Sequence, residues 1–376
     1  MIAPPLVEQQ ADPQPNAMHS QLLPANGHAL PDLVGFVQQH PRLFVLSGAG
    51  ISTDSGIPGY RDADGQWRRT PPVLLQDFLA SEPTRRRYWA RSMVGWPTVA
   101  NARPNIAHDA LARLEAAGRL QRLVTQNVDG LHQRAGSSRV IELHGNLEAV
   151  ICLECGVLHS RVSVQRTLEL LNPEFQAATA ATAADGDADI ERDLDAFQVP
   201  HCSRCAGVLK PNVVFFGEGV PRERVDGALA SLKQADAMLV IGSSLMVYSG
   251  FRFCEWADAM AKPIAAINLG RTRADHLLAL KVERPCAEAL ASLLEGLGID
   301  LTPQLRGAAA SVAPTGDPAV SSLIAGTLLC LRRLCISPTG GTSHGNRIDQ
   351  SRDRRDAQDL CRDVACRGRR YHRQDP

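Results

Sequence analysis

Four cysteines in two pairs, Cys152-x2-Cys155 and Cys202-x2-Cys205, are the residues whose spacing speaks most directly of chemistry. Two residues between thiolates let both bind one metal ion from a single tight knuckle, and two knuckles complete a tetrahedral shell of sulfur. The stretch 156–201 between the pairs is longer than a usual zinc ribbon, which a loop insertion accounts for. Four protein ligands leave no open position, so a zinc ion here is expected to be structural rather than catalytic. A redox dithiol needs only one pair.

A second set of residues points to a phosphate-bearing ligand. Ser47-Gly48-Ala49-Gly50-Ile51-Ser52-Thr53 directly follows a short apolar run, Leu43–Leu46. Two glycines in a strand-to-helix turn let backbone approach a pyrophosphate, with N–H donors supplied by the helix start. The fingerprint is incomplete, because Thr53 stands where a third glycine belongs, and a tight turn without a ligand fits as well. Ser55-Gly56-Ile57-Pro58-Gly59-Tyr60-Arg61 then extends the turn into a long loop, the kind that covers a ligand. A third string, Thr125-Gln126-Asn127-Val128-Asp129-Gly130, ends another apolar run. Its amides and carboxylate suit ribose hydroxyls and a carboxamide, although an Asx turn capping a helix explains them too. Gly242-Ser243-Ser244 and Asn268-Leu269-Gly270 are two further polar strand ends. His144, in Leu143-His144-Gly145, lies between the Asn127 string and the first Cys pair. A neutral imidazole there suits general-base work on a ribose hydroxyl; the plainer reading is a structural histidine.

These residues need elements to carry them. Apolar runs at Leu43–Leu46, Leu120–Thr125, Ala237–Ile241 and Pro263–Asn268 have the pattern of strands buried on both faces. Ala107–Ala117 and Arg222–Gln234 have helical period between them. The alternation predicts an α/β fold, a Rossmann-like doubly wound parallel sheet with a small zinc-binding domain inserted. The expected division is a flexible leader over 1–30, a discontinuous Rossmann-like dinucleotide-binding domain over 31–147 and 209–303, and a zinc domain over 148–208. The polar, alanine-rich Ala177–Asp189 reads as the insertion, and 307–376 as a disordered tail.

Bulk properties narrow the class. Lys+Arg and Asp+Glu are both 40, so no global field draws nucleic acid. No apolar run approaches the roughly 18 residues of a membrane span. The first 41 residues hold no Lys or Arg, which argues against secretory and transit leaders and for a reducing, cytoplasmic setting. There the cysteines, ten in all, favour metal over disulfides. The even charge also speaks against a nucleic-acid zinc module.

With these residues placed, the chain resembles the sirtuin family over roughly residues 30–300. The matching strings are Gly48–Ser52, Gly56-Ile57-Pro58, Thr125–His132, Leu143-His144-Gly145, both Cys pairs, Lys210–Glu218, Gly242-Ser243-Ser244 and Asn268-Leu269-Gly270. Arg87–Arg91 and Val247-Tyr248-Ser249-Gly250 are most similar to the class II branch. The resemblance implies an NAD-dependent protein lysine deacylase: acyl transfer to ADP-ribose with release of nicotinamide. Transfer of ADP-ribose itself to protein is the alternative at the same site. Hydride transfer is a weaker one.

Residue by residue, the resemblance implies that Gly48, Ala49, Gly50, Ile51, Ser52 and Thr53, with Tyr60 and Arg61, hold the NAD diphosphate and nicotinamide side. Gln126 would touch the nicotinamide ribose, and Asn127, Val128 and Asp129 would shape the nicotinamide pocket. Gly242, Ser243, Ser244, Asn268, Leu269, Gly270 and Cys286 would lie near the adenosine half. His144 is implied as general base. Val214, Phe216, Gly217 and Glu218 would pair with an acyl-lysine peptide as an added strand. Tyr88 and Arg91 would line the acyl pocket and favour carboxylated acyl chains. Gly59 departs from the family, which usually carries an acidic residue there.

Overall fold

The structure is a computed structural model, and it describes residues 29–60, 62, 72–175 and 193–301. The expected leader, the Ala177–Asp189 insertion, the tail and Arg61 lie outside the described residues or almost so. All described residues fall within one compact unit, 1–304. No helix among them is long and apolar enough to cross a membrane.

Among the described residues nine strands and nine α-helices follow along the chain, beginning with α1 (Ala29–Gln39), β1 (Leu43–Ser47), α2 (Leu75–Ala80), α3 (Glu82–Asn101), α4 (Ile106–Ala116) and β2 (Leu120–Thr125). Next come α5 (Leu131–Ala135), β3 (Val140–Glu142), β4 (Gly145–Cys152), β5 (Leu158–Ser160), α6 (Arg161–Leu171) and β6 (Leu209–Val213). The chain continues with α7 (Arg222–Gln234), β7 (Ala237–Ile241), α8 (Tyr248–Ala259), β8 (Ile264–Ile267), β9 (Leu280–Val282) and α9 (Cys286–Gly296). Six strands form a sheet in the order β3-β2-β1-β7-β8-β9, every pair parallel. β2, β7 and α7 match the ranges expected from apolar runs and helical period.

Alternation along the central strands divides two cores. Leu43 and Val45 of β1 face a layer made by α1, α4 and α9, while Phe44 and Leu46 face α7 and α8. β7 and β8 alternate in the same way, so β1, β7 and β8 are buried throughout. Such strands read as continuous apolar runs because helices cover both faces.

β4, β5 and β6 form a separate antiparallel sheet in the order β5-β4-β6. Its core draws in Trp89 and Met93 of α3, Leu147 and Val150 of β4, Leu168 of α6 and Leu209 of β6. This core thus joins α2 and α3 to the small sheet, elements that the sequence pattern had put in different domains. Arg161, fully buried, ties α6 to α3. Its guanidinium donates to Gln165 Oε1 at 2.8 Å and to Ser92 O at 3.1 Å, and stacks over Trp96 at 4.6 Å. Burial lowers its pKa to about 10, which leaves it charged at neutral pH.

Candidate active site

The strand order reverses between β1 and β7, and an open α/β sheet binds its ligand in the crevice at such a point. A cavity of about 940 Å³ opens there. β1 stops at Ser47, and two 3-10 turns, Ala49–Ile51 and Thr53–Ser55, follow instead of the α-helix start that the glycine pattern suggests. The glycines serve close approach. A Cβ on Gly50 would meet Gly242 Cα at 2.9 Å, and one on Gly242, at φ +59°, would meet Ile51 N at 2.5 Å. Gly48 N–H donates to Ile241 O at 3.0 Å, and Gly50 N–H to Gly242 O at 2.8 Å. Those two amides fasten the loop to the end of β7 and are not available to a pyrophosphate.

Beneath the loop lies a chain of buried polar groups. Asn105 caps α4, and its own N–H donates to His108 Nδ1 at 3.3 Å, so the His108 proton sits on Nε2. Nε2 is 3.5 Å from Ser52 Oγ, which donates to Asp129 Oδ2 at 2.8 Å and accepts from Asn127 Nδ2 at 3.1 Å. Asn127 also donates to Gly48 O at 3.2 Å. Burial pushes the Asp129 carboxyl up, against the hydrogen bonds from Leu131 N–H and Ser52. Burial pushes His108 down to about 4 and His132 well below its usual value. His132 Nε2 meets Ser47 Oγ at 2.8 Å, at the last residue of β1. Sequence reasoning missed His108, and met Ser47 and His132 only as members of the Ser47–Thr53 and Thr125–His132 strings, without a role for either.

Of the expected cofactor residues, Gly48, Ala49, Gly50, Thr53, Tyr60, Gln126, Asn127 and Val128 line the cavity. So do Gly242, Ser243, Ser244, Asn268, Leu269 and Cys286. Ile51, Ser52 and Asp129 are buried under that lining, and act on it only through the residues they hold. Gly270 does not line the cavity, and its carbonyl accepts from Asn268 Nδ2 at 3.3 Å. Cys286 begins α9, and burial lifts its thiol to about 12, which leaves it a neutral wall.

His144 stands where the two sheets meet, directly before β4. Its Nδ1 lies 2.9 Å from Gln126 O, and a carbonyl only accepts, so Nδ1 carries the proton of the neutral ring. Nε2 therefore presents its lone pair, 2.8 Å from Ser249 Oγ. Burial lowers the pKa of His144; the Gln126 carbonyl opposes this, and Arg224 and Arg252 add to it. The imidazole is neutral at pH 7, the form a base requires.

Val214, Phe216, Gly217 and Glu218 line the same cavity, and so does Tyr88. Val214 N–H donates to His144 O at 2.8 Å and Phe216 O accepts from Leu75 N at 2.9 Å, which ties the segment to both neighbours. Glu218 braces it from within: Oε2 accepts from Phe215 N at 2.8 Å and pairs with the buried Lys210 at 2.9 Å. Tyr88 packs edge-on against Phe78 and Trp89. Arg91, three residues on, does not line the cavity.

The four thiols meet at the far end of the small sheet, all within 4.8 Å of one another. Cys152 and Cys205 lie 3.4 Å apart, Cys155 and Cys202 3.7 Å. A zinc–sulfur tetrahedron with bonds of about 2.3 Å has edges of about 3.8 Å, so the donor set fits. His159 Nε2, 3.3 Å from Cys202 Sγ, is an outer partner that the Cys spacing could not reveal.

Residues 48–249 match the model of the Sir2 family. A relative from Bordetella bronchiseptica, named NAD-dependent protein deacetylase, is 59% identical over 263 residues, 70% of this chain and 96% of that protein. A Bos taurus relative, named NAD-dependent protein lipoamidase sirtuin-4, mitochondrial, is 47% identical over 271 residues, 71% of this chain and 86% of its own. A solved structure described as Sir2 with a p53 peptide and NAD superposes with a TM-score of 0.59 at 30% identity, covering 72% of this chain and 99% of that one. The chain belongs to the Sir2 family.

Proposed function

We propose that this chain is an NAD-dependent protein lysine deacylase, which passes the acyl group to ADP-ribose and releases nicotinamide. The observation that carries the reading is the place of His144. It is a neutral imidazole with its lone pair turned into a cavity lined on one side by the Gly48 loop and Asn127, on the other by Val214–Glu218.

In this reading NAD supplies the electrophilic ribose carbon that the acyl oxygen attacks. Asn127 shapes the nicotinamide pocket and Ser243 lies at the adenosine half, both pinned by hydrogen bonds. Val214–Glu218 receives the peptide as an added strand, stiffened by the Lys210–Glu218 pair. His144 takes a ribose hydroxyl proton at Nε2, so that the hydroxyl oxygen can attack the acyl carbon. The four cysteines hold one structural zinc that takes no part in the steps. Tyr88 closes the acyl end with an aromatic wall; Arg91 draws no support from the cavity as a reader of acyl carboxylates. Arg87–Arg91, Val247–Gly250 and the likeness to the bovine protein favour class II within the family. The absence of Lys and Arg from residues 1–41 favours the cytoplasm.

The test is incubation with NAD and an acetyl-lysine peptide, following nicotinamide and products by mass spectrometry. Free O-acetyl-ADP-ribose with deacetylated peptide is the expected result. ADP-ribose attached to protein, with the peptide unchanged, would overturn it in favour of ADP-ribosyl transfer.

A further inference from the structure

We propose that Ser249 is a positioning residue for His144, holding the imidazole in the ring orientation that acyl transfer needs. The inference rests on the deacylase reading above. The ring is anchored at both ends. At one, Nδ1–H donates to Gln126 O at 2.9 Å; at the other, Ser249 Oγ–H donates to Nε2 at 2.8 Å. A ring held only at Nδ1 can still tilt about that bond. The second anchor removes the tilt and points the lone pair along one direction.

The frame around these anchors is tight. Ser249 is 8% exposed and sits in the first turn of α8, where Gly250 and Phe251 N–H both donate to Val247 O. The next residue, Gly250, presses on the same glutamine that supplies the first anchor: a Cβ there would lie 2.4 Å from Gln126 Oε1. Gln126 is fixed in turn, donating through Nε2 to Ser243 Oγ at 2.8 Å. One contact between β2's end and α8 thus sets both hydrogen bonds of the base. The charged groups acting on His144 are Arg224 of α7 and Arg252 of α8. Both favour the neutral ring, and neither bonds to it among the described residues, so orientation falls to the serine and the carbonyl.

Ser249 also lines the cavity. The ribose hydroxyl must therefore take over the position at Nε2 that Ser249 Oγ holds. One hydroxyl replaces another, so Nε2 loses no hydrogen bond in the exchange. In the step itself the ribose O–H bond breaks and its proton goes to Nε2, while the serine keeps its own. The acyl oxygen's earlier attack, which expels nicotinamide, uses no base. A positioning role for Ser249 predicts damage to the second stage and not the first.

The experiment compares wild type, S249A and S249T as full-length protein with NAD and an acetyl-lysine peptide. Exchange of labelled nicotinamide into NAD reads the first stage, and O-acetyl-ADP-ribose formation reads the second. An anchor worth about 1 kcal/mol favours the productive ring orientation roughly fivefold over the tilted ones that its loss admits. S249A should lower acyl-transfer kcat about fivefold to tenfold, with exchange and the KM for NAD within about twofold. S249T keeps a hydroxyl and should recover most of the loss. An equal fall in both stages, no fall in either, or no recovery by threonine overturns the assignment. Acyl transfer absent from the wild type would instead overturn the deacylase reading, and this inference with it.

Discussion

The parallel sheet and the small antiparallel sheet each have to shelter a ladder of backbone hydrogen bonds, and they do it by different means. β1, β7 and β8 lie wholly buried between two helical layers, each face supplied by alternate residues of the same strands. β4 buries only Gly145, Leu147, Val150 and Cys152 of its eight residues, and Leu158 of β5 is 58% exposed. The small sheet therefore draws on other sources. A four-thiolate cluster fastens one end, and α3 supports that same end through Trp89, whose Nε1–H donates to O of Leu209, the register partner of Cys152, at 3.3 Å. Where apolar faces suffice, buried polar contacts gather at the strand ends, as between Ser47 and His132. Where they do not, a metal site and the buried Arg161 take over.

The largest effect that tests this contrast is removal of the metal. One zinc per chain is expected by metal analysis, and structural zinc contributes about 10–16 kcal/mol in small zinc domains. Chelation, or Cys202→Ala, should unfold the small sheet and abolish activity, and the signal of Trp89 and Trp96 should change with it. The parallel sheet should keep its helices by circular dichroism. Active protein containing no zinc would refute the four-thiolate site and the contrast with it.

His144→Ala comes next, because it removes a base at the junction of the two sheets without emptying either core. Loss of a positioned general base costs about 10²–10⁴-fold in rate. Acyl transfer should fall by that factor with the melting temperature little changed. Retention of more than half the wild-type kcat would take the base away from His144.

Much of the parallel region was legible from sequence for the same reason that it is stable. Leu43–Leu46 and Ala237–Ile241 announce themselves as continuous apolar runs because both their faces are covered. The polar residues that end such strands were legible too, from Asn127 to Asn268. The edge strands β3 and β9, at three residues each, are too short to show a period. The small sheet hides better, since its partners are far apart in sequence: Trp89 of α3 meets β6 across 120 residues. Ser249 shows in the sequence only as one member of the Val247–Gly250 string, with no sign of a role beside His144. A serine in a helix's first turn is ordinary, and only the fold brings it to His144.

Acid should separate the two regions. His108, His132 and His144 all have pKa values lowered by burial, His108 to about 4, and all three lie beside the parallel sheet. In the unfolded chain a histidine takes up its proton near pH 6.5. The folded chain holds these three neutral further down, so the unfolded state binds more protons between about pH 6.5 and 4. Stability should therefore be full above about pH 6.5 and fall as pH drops through that window. Denaturant midpoints at pH 7.5 and 5.5 check this, and equal midpoints would mean the three histidines are not held neutral.

The smallest expected effect compares the two zinc knuckles with each other. They share one backbone design. In the first, Cys152 N–H donates to Val157 O at 3.0 Å and Gly156 N–H to Cys152 O at 3.0 Å. In the second, Cys202 N–H donates to Gly207 O at 2.9 Å and Ala206 N–H to Cys202 O at 2.8 Å. The residue after the second cysteine of each pair must turn left-handed, with φ +68° at Gly156 and φ +59° at Ala206. Glycine adopts that conformation freely, whereas an L-residue with a Cβ is penalised by roughly 1–2 kcal/mol. Glycine also has more freedom to lose on folding, by about 0.5–1 kcal/mol relative to alanine. The strain is the larger, so Ala206→Gly should stabilise the zinc-bound protein by somewhat under 1 kcal/mol. Gly156→Ala should destabilise it by a similar amount. Melting temperatures of the two variants at saturating zinc measure the pair. Opposite signs would confirm that the knuckles are two copies of one device, strained in only one copy, and a lower melting temperature for Ala206→Gly would show that they are not.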